Sequence, residues 1–285
     1  MRGAERRMLV VKVGGTGGVG HETLLDEVEE LVEGRVPLVL VHGGSAETSR
    51  LQRRLGDEPL MVSSPSGAES RYTDEEALDA FVMACAGKVN TDLVAGLNGR
   101  GVTAVGLSGV DGGLCSGPLK EAIKVRRDGR TFLMRGNRSG RVETVRPGVL
   151  HALLGAQMLP VVGPPALSYS GGPMNTDADR MAAAIAVAIG ADRVVFLTDR
   201  AGLLEDPDDN STLIRSLEGS REIEGAGRWA RGRMVAKLRA AEEAVDGGVE
   251  SAIIADAGVV SPIRSAMEGY GTVITGGDRR GVEVS

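Results

Sequence analysis

Leu9-Val10-Val11-Lys12-Val13-Gly14-Gly15 and Leu38-Val39-Leu40-Val41-His42-Gly43-Gly44 are two versions of one pattern, and their reading decides the fold. Each is a short apolar run without alternation, as expected of a parallel strand buried on both faces. Each gives way to residues without a Cβ, where backbone N–H groups can approach an anion closely. The first also places Lys12 inside the strand. A charge there is costly unless it is paired, and the competing reading is an edge-strand lysine that reaches solvent. Two anion-receptive turns beside one cation suggest a site for a phosphoryl group in transit.

Working outward, strand-like and helix-like segments alternate. His21 to Glu33 reads as an amphipathic helix with Leu24, Leu25, Val28, Leu31 and Val32 on one side. A helix follows near Ala46 to Leu55, and Leu60 to Tyr72 is Ser-rich and hairpin-like. Asp74 to Leu97 is helical, with Gly87 and Gly96 as interruptions, and Thr103 to Leu107 is a strand. Leu114 to Val145 reads as extended segments around turns at Arg127-Asp128-Gly129 and Arg138-Ser139-Gly140. Further strands are expected at Met158 to Val162, Arg193 to Thr198, Ser251 to Asp256 and Thr272 to Thr275. Helices are expected at Thr176 to Ile189 and Gly232 to Asp246, with Pro164 to Pro173 as a Gly/Pro loop and soft boundary. Such alternation predicts an α/β fold with a mostly parallel sheet, helices on both faces and ligands beyond the carboxyl ends of the strands.

Composition bounds the function. A chain of 285 residues can bury a full core as one large domain or two lobes. Apolar residues make up 42% and charged residues 25%, and the net charge of −6 argues against a general nucleic-acid binder. No uninterrupted apolar run approaches the roughly 20 residues of a membrane span. Met1 to Arg7 is charged and leads into a strand, unlike a secretory signal. Cys85 and Cys115 are isolated, which fits reduced thiols in a cytoplasmic enzyme. His21, His42 and His151 form no metal-ligand cluster, and no metal ligands are assigned. The lysines are five (Lys12, Lys88, Lys120, Lys124 and Lys237) against 28 arginines, so a retained lysine weighs towards a compact, mobile ammonium.

Each motif has a plain competitor. Gly15 to Gly20 matches GxGxxG, but the second strand ends in His42-Gly43-Gly44 and supplies no ribose-binding acid. The phosphate-loop pattern fails because His21-Glu22 replaces its Lys-Ser/Thr. Asn175-Thr176-Asp177-Ala178-Asp179 opens a helix and could simply cap it; the sharper reading has Asp179 orient lysines around a phosphate. Lys237, alone, reads as a solvated helix residue. Arg71 precedes a helix and suits either a carboxylate or a structural ion pair. Lys120 to Arg146 holds nine Lys/Arg against three acids: a solvated hairpin, or a docking surface for an acidic macromolecule.

In order, Lys12 to Gly15, His42 to Gly44, Arg71 to Asp74, Met174 to Asp179, Leu197 to Leu204 and Gly232 to Lys237 resemble the six motifs of the amino-acid kinase family. The match runs from about residue 8 to residue 275 and is similar to the acetylglutamate kinase group. Within it, Ser45-Ala46, Ser-Arg-Tyr-Thr-Asp and the Pro164 to Tyr169 loop resemble the branch that acts on aminoadipate attached to LysW, a small acidic carrier protein. The resemblance implies a three-layer α/β/α sandwich with a mostly parallel sheet of about eight strands. It implies an acceptor- and carrier-binding lobe over 1–170 and an ATP-binding lobe over 171–285, on one continuous sheet.

By the same resemblance, ATP phosphorylates a side-chain carboxylate to an acyl phosphate, with Mg²⁺ held mainly by ATP oxygens. Lys12 and Lys237 stabilise the phosphoryl group and nucleotide, and Asp179 holds both lysines. Gly43, Gly44, Ser45, Arg71 and Asn175 bind the acceptor; Gly14, Gly15, Thr198, Asp199, Gly202 and Leu203 serve the nucleotide. The carrier would dock on Lys120 to Arg146. Ser45 and Ala46 replace the Gly-Pro of acetylglutamate kinases, which counts against free acetylglutamate, though that acceptor and an inactive nucleotide-binding regulator stay open. Asp177 stands where that group often has Asn and adds charge near the phosphates. No long N-terminal helix is seen, which implies a homodimer without arginine feedback. Aminoadipate and glutamate differ by one methylene, and the sequence leaves that choice open.

Overall fold

The computed structural model describes residues 7–14, 21–64, 69–127 and 130–277. In chain order the strands are β1 (Leu9–Val13), β2 (Leu38–His42), β3 (Met61–Ser63), β4 (Glu69–Arg71), β5 (Ala104–Gly109), β6 (Cys115–Gly117), β7 (Leu119–Arg127), β8 (Arg130–Gly140), β9 (Thr144–Val145), β10 (Leu159–Ser168), β11 (Pro173–Met174), β12 (Arg193–Thr198), β13 (Ser216–Glu218), β14 (Ser251–Asp256) and β15 (Thr272–Thr275). The helices are α1 (His21–Glu33), α2 (Ser45–Arg54), α3 (Glu75–Val82), α4 (Asn90–Asn98), α5 (Gly148–Gly155), α6 (Ala178–Ala188), α7 (Gly219–Ala226), α8 (Arg233–Asp246) and α9 (Pro262–Met267).

The main sheet runs β13-β15-β14-β12-β1-β2-β10-β6-β9, with β5 and β11 also paired to β10. Its interior pairs, β14 to β12 to β1 to β2 to β10 to β5, are all parallel. The sheet carries eleven strands, because short strands of two or three residues, β9, β11 and β13, extend the predicted set. Alternation along each strand divides two cores. Val10, Val41, Val194, Phe196 and Ile254 pack with Met181, Ile185, Leu238 and Val245 of α6 and α8. Leu9, Val11, Leu40, Val195 and Ile253 pack with Leu25 and Val28 of α1, Leu93 and Leu97 of α4, and Ile263 of α9.

Two expectations are corrected. Arg138-Ser139-Gly140 is not a turn but the end of β8, held because Lys120 pairs Ser139 and the Gly140 N–H donates to Asn175 O at 2.8 Å. Pro164 to Ser168 is not loop but the continuation of β10. The two prolines fall where β10 passes from β5, last paired at Gly163, to β11 and β6, first paired at Ala166 and Leu167. No ladder N–H is required of either proline there. Gly15 to Gly20, Asp128 and Gly129 lie outside the described residues.

Helices α3 and α4 form one run, Glu75–Asn98, joined by a wider π-type stretch at Met83–Val89 that contains Gly87. By length and composition this run is apolar enough to cross a membrane. It exposes Asp79, Lys88 and Asp92 on one side and buries Leu78, Phe81, Cys85, Val89, Leu93 and Leu97 on the other, the pattern of a core helix. β3 and β4 pair antiparallel as the hairpin expected in Leu60 to Tyr72, and continue into a second sheet, β4-β3-β7-β8.

Candidate active site

Parallel strands place their carboxyl ends on one side, and α2, α6 and α8 begin there. Lys12 shares its strand face with Val10, so its side chain points towards α6 and α8. Its Nζ lies 2.7 Å from Asp179 Oδ1 in the first turn of α6. Lys237, in the first two turns of α8, donates to both Asp179 oxygens at 3.0 Å. Exposures are 6% for Lys12, 5% for Asp179 and 7% for Lys237, so all three charges are taken out of water together. The solvated-surface reading of Lys237 and the snorkelling reading of Lys12 are both excluded by this burial.

Asp179 lies between the two ammonium groups, and the Asp177 carboxylate acts on both lysines as well. Burial would depress Lys12, but the Asp179 carboxylate outweighs it and holds Lys12 above its ordinary value. Lys237 is pushed down to about 8, by burial first and then by the charge of Lys12. Burial would raise Asp179, yet the two lysines hold it below the usual carboxylate range. Asp177 caps α6, its side chain accepting from the Arg180 N–H at 2.9 Å, and its charge also acts on Lys12 and Lys237. Gly232 adopts φ 54° just before α8, a left-handed turn that suits glycine.

The ends of β1 and β2 lie side by side, because Val13 pairs with His42 and the Gly43 N–H donates to Val13 O at 3.3 Å. A Cβ on Gly14 would meet nothing within 4 Å, whereas one on Gly44 would meet Cys85 Sγ at 2.4 Å. Gly14 therefore borders open space, and Gly44 is packed on its inner side. His42 is fully buried; its Nδ1 faces Gly43 O at 2.8 Å and its Nε2 faces Asn90 Nδ2 at 2.9 Å. Burial, reinforced by Lys12, pushes His42 down to about 4, so the ring is neutral at working pH.

Arg71, 8% exposed, donates to Ser45 O at 3.0 Å, to Ser49 Oγ at 2.7 Å and to Gln52 Oε1. All three acceptors are neutral, so among the described residues no carboxylate forms an ion pair with this buried cation. A buried unpaired charge is expensive unless a ligand compensates it. Asn175 donates to Thr73 Oγ1 at 2.8 Å and bridges to Ser139, which joins it to the base of the β7–β8 hairpin. Buried Asn137 in that hairpin donates to Lys120 O at 2.6 Å and to Ser139 Oγ at 2.7 Å.

Of the predicted nucleotide residues, Thr198 and Asp199 sit at the end of β12 beside β1, with Thr198 Oγ1 donating to Asp199 at 3.2 Å. Gly202 and Leu203 are buried against Leu213 and Thr272, and the Leu203 N–H donates to Thr272 Oγ1 at 2.8 Å. Gly15 lies outside the described residues. Sequence reasoning missed Asn90, Gly106 and Gly163 around His42. The available signals were a polar residue within an apolar helix and single glycines inside two strands.

Residues 7–256 match the amino acid kinase family. The [LysW]-aminoadipate kinases of Deinococcus radiodurans and Thermus thermophilus are 42% and 43% identical over 268 residues. Each alignment covers 94% of this chain, with 91% of the first relative and 100% of the second. The acetylglutamate kinase of Methanopyrus kandleri is 39% identical over 94% of this chain and 100% of its own. The solved carbamate kinase of Giardia superposes with a TM-score of 0.67 over 96% of this chain and 100% of its own; at 16% identity that likeness speaks to fold alone. With the buried two-lysine cluster at the strand ends and a family match over most of its length, the chain belongs to the amino acid kinase family.

Proposed function

We propose that this chain is an ATP-dependent kinase that phosphorylates the side-chain carboxylate of 2-aminoadipate, or of glutamate, carried through its amino group on an acidic LysW-type protein. The observation that carries the reading is the buried Lys12–Asp179–Lys237 cluster at the end of β1, where β1 pairs with β2. A side-chain carboxylate with a pKa of about 4.3 is already ionised at neutral pH, so no general base is needed. Catalysis then reduces to holding two anions together and neutralising their charge. Lys12 neutralises the phosphoryl group in transit, Lys237 acts on the nucleotide side, and Asp179 fixes both. Gly14 and Gly44 offer backbone N–H groups, Gly43 and Ser45 border the acceptor, and the uncompensated Arg71 charge takes the acceptor's α-carboxylate beside Asn175. Gly15, Thr198, Asp199, Gly202 and Leu203 belong to the nucleotide side. Mg²⁺ enters with ATP, held by its phosphates.

In this reading residues 1–170 carry the acceptor and residues 171–285 the nucleotide. The carrier docks on the hairpin of the basic stretch. Paired residues of an antiparallel sheet share a face. The pairs Ala122 with Arg135, Lys124 with Leu133, Arg126 with Ser63, and Met61 with Arg71 therefore put Lys124, Arg126 and Arg135 on the face that carries Arg71. We further propose a cytoplasmic homodimer, in keeping with two buried free cysteines. Trapping acyl phosphate with hydroxylamine tests the reading. Turnover is expected with the carrier-linked acceptor and ATP; strong turnover of free acetylglutamate would replace it with the acetylglutamate kinase reading that the Methanopyrus relative favours.

A further inference from the structure

His42 is in the wrong place for ordinary packing. Asn90 Nδ2 lies 3.0 Å from Val161 O, 3.3 Å from Leu107 O and 2.9 Å from His42 Nε2. Two of these neighbours are carbonyl oxygens, which only accept, so the NH₂ end of the amide faces them. The third neighbour, Nε2, faces an amide nitrogen that accepts nothing, so Nε2 carries no proton. A neutral imidazole carries one donor and one acceptor, so its proton sits on Nδ1 and is donated to Gly43 O at 2.8 Å. The Gly43 carbonyl and the Gly44 N–H belong to one peptide plane and point in opposite directions. A carbonyl pinned to the buried ring turns the Gly44 N–H away from that ring. Among the described residues this N–H takes no hydrogen bond.

The surrounding strands make room for the relay at a cost. A Cβ on Gly163 of β10 would meet His42 Cε1 and Nε2 at 2.2 Å. A Cβ on Gly106 of β5 would meet Asn90 Oδ1 at 2.0 Å. Glycine inside a strand weakens it, and an apolar side chain at position 42 would need neither the amide nor its space. The neighbouring cation is Lys12, and burial keeps the ring neutral beside it.

We propose that His42 and Asn90 are positioning residues, which fix the Gly43–Gly44 peptide so that the Gly44 N–H is aimed at the transferring phosphoryl group. The inference rests on the phosphoryl-transfer reading above. Loss of one preorganised backbone donor costs about 10²-fold in kcat, with KM nearly unchanged. His42→Leu removes the Nδ1–H donor and is expected to lose about that factor, with KM for ATP and acceptor within about threefold. His42→Asn retains an N–H within reach of Gly43 O and is expected to recover about tenfold or more of the loss. Both variants lose the Asn90 contact, so a purely structural role predicts similar rates for both. Equal losses of kcat, or a raised KM at unchanged kcat, would overturn the proposal. The wild-type ring is also read by nitrogen NMR, where the Nδ1–H tautomer is expected at neutral pH. The Nε2–H tautomer or an imidazolium would overturn the proposal even where a variant fails to fold. A wild-type protein that forms acyl phosphate from none of the acceptors offered with ATP would sink the kinase reading instead, while the tautomer still reports the relay.

Discussion

Lys237 and Asp179 show how two residues with ordinary reference chemistry acquire a function from each other. Asp179→Asn would leave two buried ammonium groups without their counter-charge. Breaking a buried pair in this way costs about 3–5 kcal/mol, so the variant should melt several degrees lower by calorimetry and lose activity. Lys237 is charged below its pKa of about 8 in the ligand-free protein and neutral above it. Because kcat/KM reports the free enzyme, kcat/KM for ATP should fall above that pH, by tenfold per unit. Lys237→Arg, which stays charged, should abolish that alkaline limb even if its rate is lower. An alkaline limb preserved in the arginine variant would assign the titration elsewhere. Lys12 in its strand was legible from the sequence as an anomaly, because an apolar run rarely holds a charge. Its pairing with Asp179, 167 positions away, was an expectation carried by the family resemblance rather than by any local pattern.

Elements carry the site because three helices start where three parallel strands stop. The first turns of α2, α6 and α8 present their free N–H groups and partial positive charge to the same region. The turn before α2 is the tightest of these joints: Gly44 packs on Cys85 in the π-type stretch. Gly44→Ala should overpack this contact by about 1–3 kcal/mol. The double variant with Cys85→Ala should regain most of that loss, a coupling measurable by denaturant unfolding. Additive losses would show that the contact is not what excludes a side chain there. The strands Arg193–Thr198 and Ser251–Asp256 were readable to the residue, and α6 and α8 with small boundary shifts. The short β13, α5, α7 and α9 were not: three residues of strand or about two turns of helix carry too few periods to show a pattern.

At the scale of the molecule, the main sheet forms a rigid floor for the site and the small β4-β3-β7-β8 sheet forms a cationic flank beside it. The Arg126 and Lys124 side chains share a sheet face with Arg71, the residue proposed to take the acceptor. Replacing Lys124, Arg126 and Arg135 together by Glu should raise KM for a carrier-linked acceptor about tenfold or more, and the wild-type KM should climb with salt. The ATP KM should stay put. A carrier KM indifferent to both salt and charge reversal would remove the hairpin from the docking surface. Basic composition pointed to this stretch, but which cations share the face of the site depends on strand register.

The sequence by itself determined the α/β alternation, the buried parallel strands and the glycine turns, because those follow from local periodicity and from residues lacking a Cβ. It also marked Lys12 as misplaced unless paired. It took the folded chain to bring Lys12, Asp179 and Lys237 into one desolvated cluster, to bury Arg71 among neutral acceptors, and to set His42 between Gly43 O and Asn90. Those are distances between segments far apart in the chain, and they exist only once the strands take their order in the sheet.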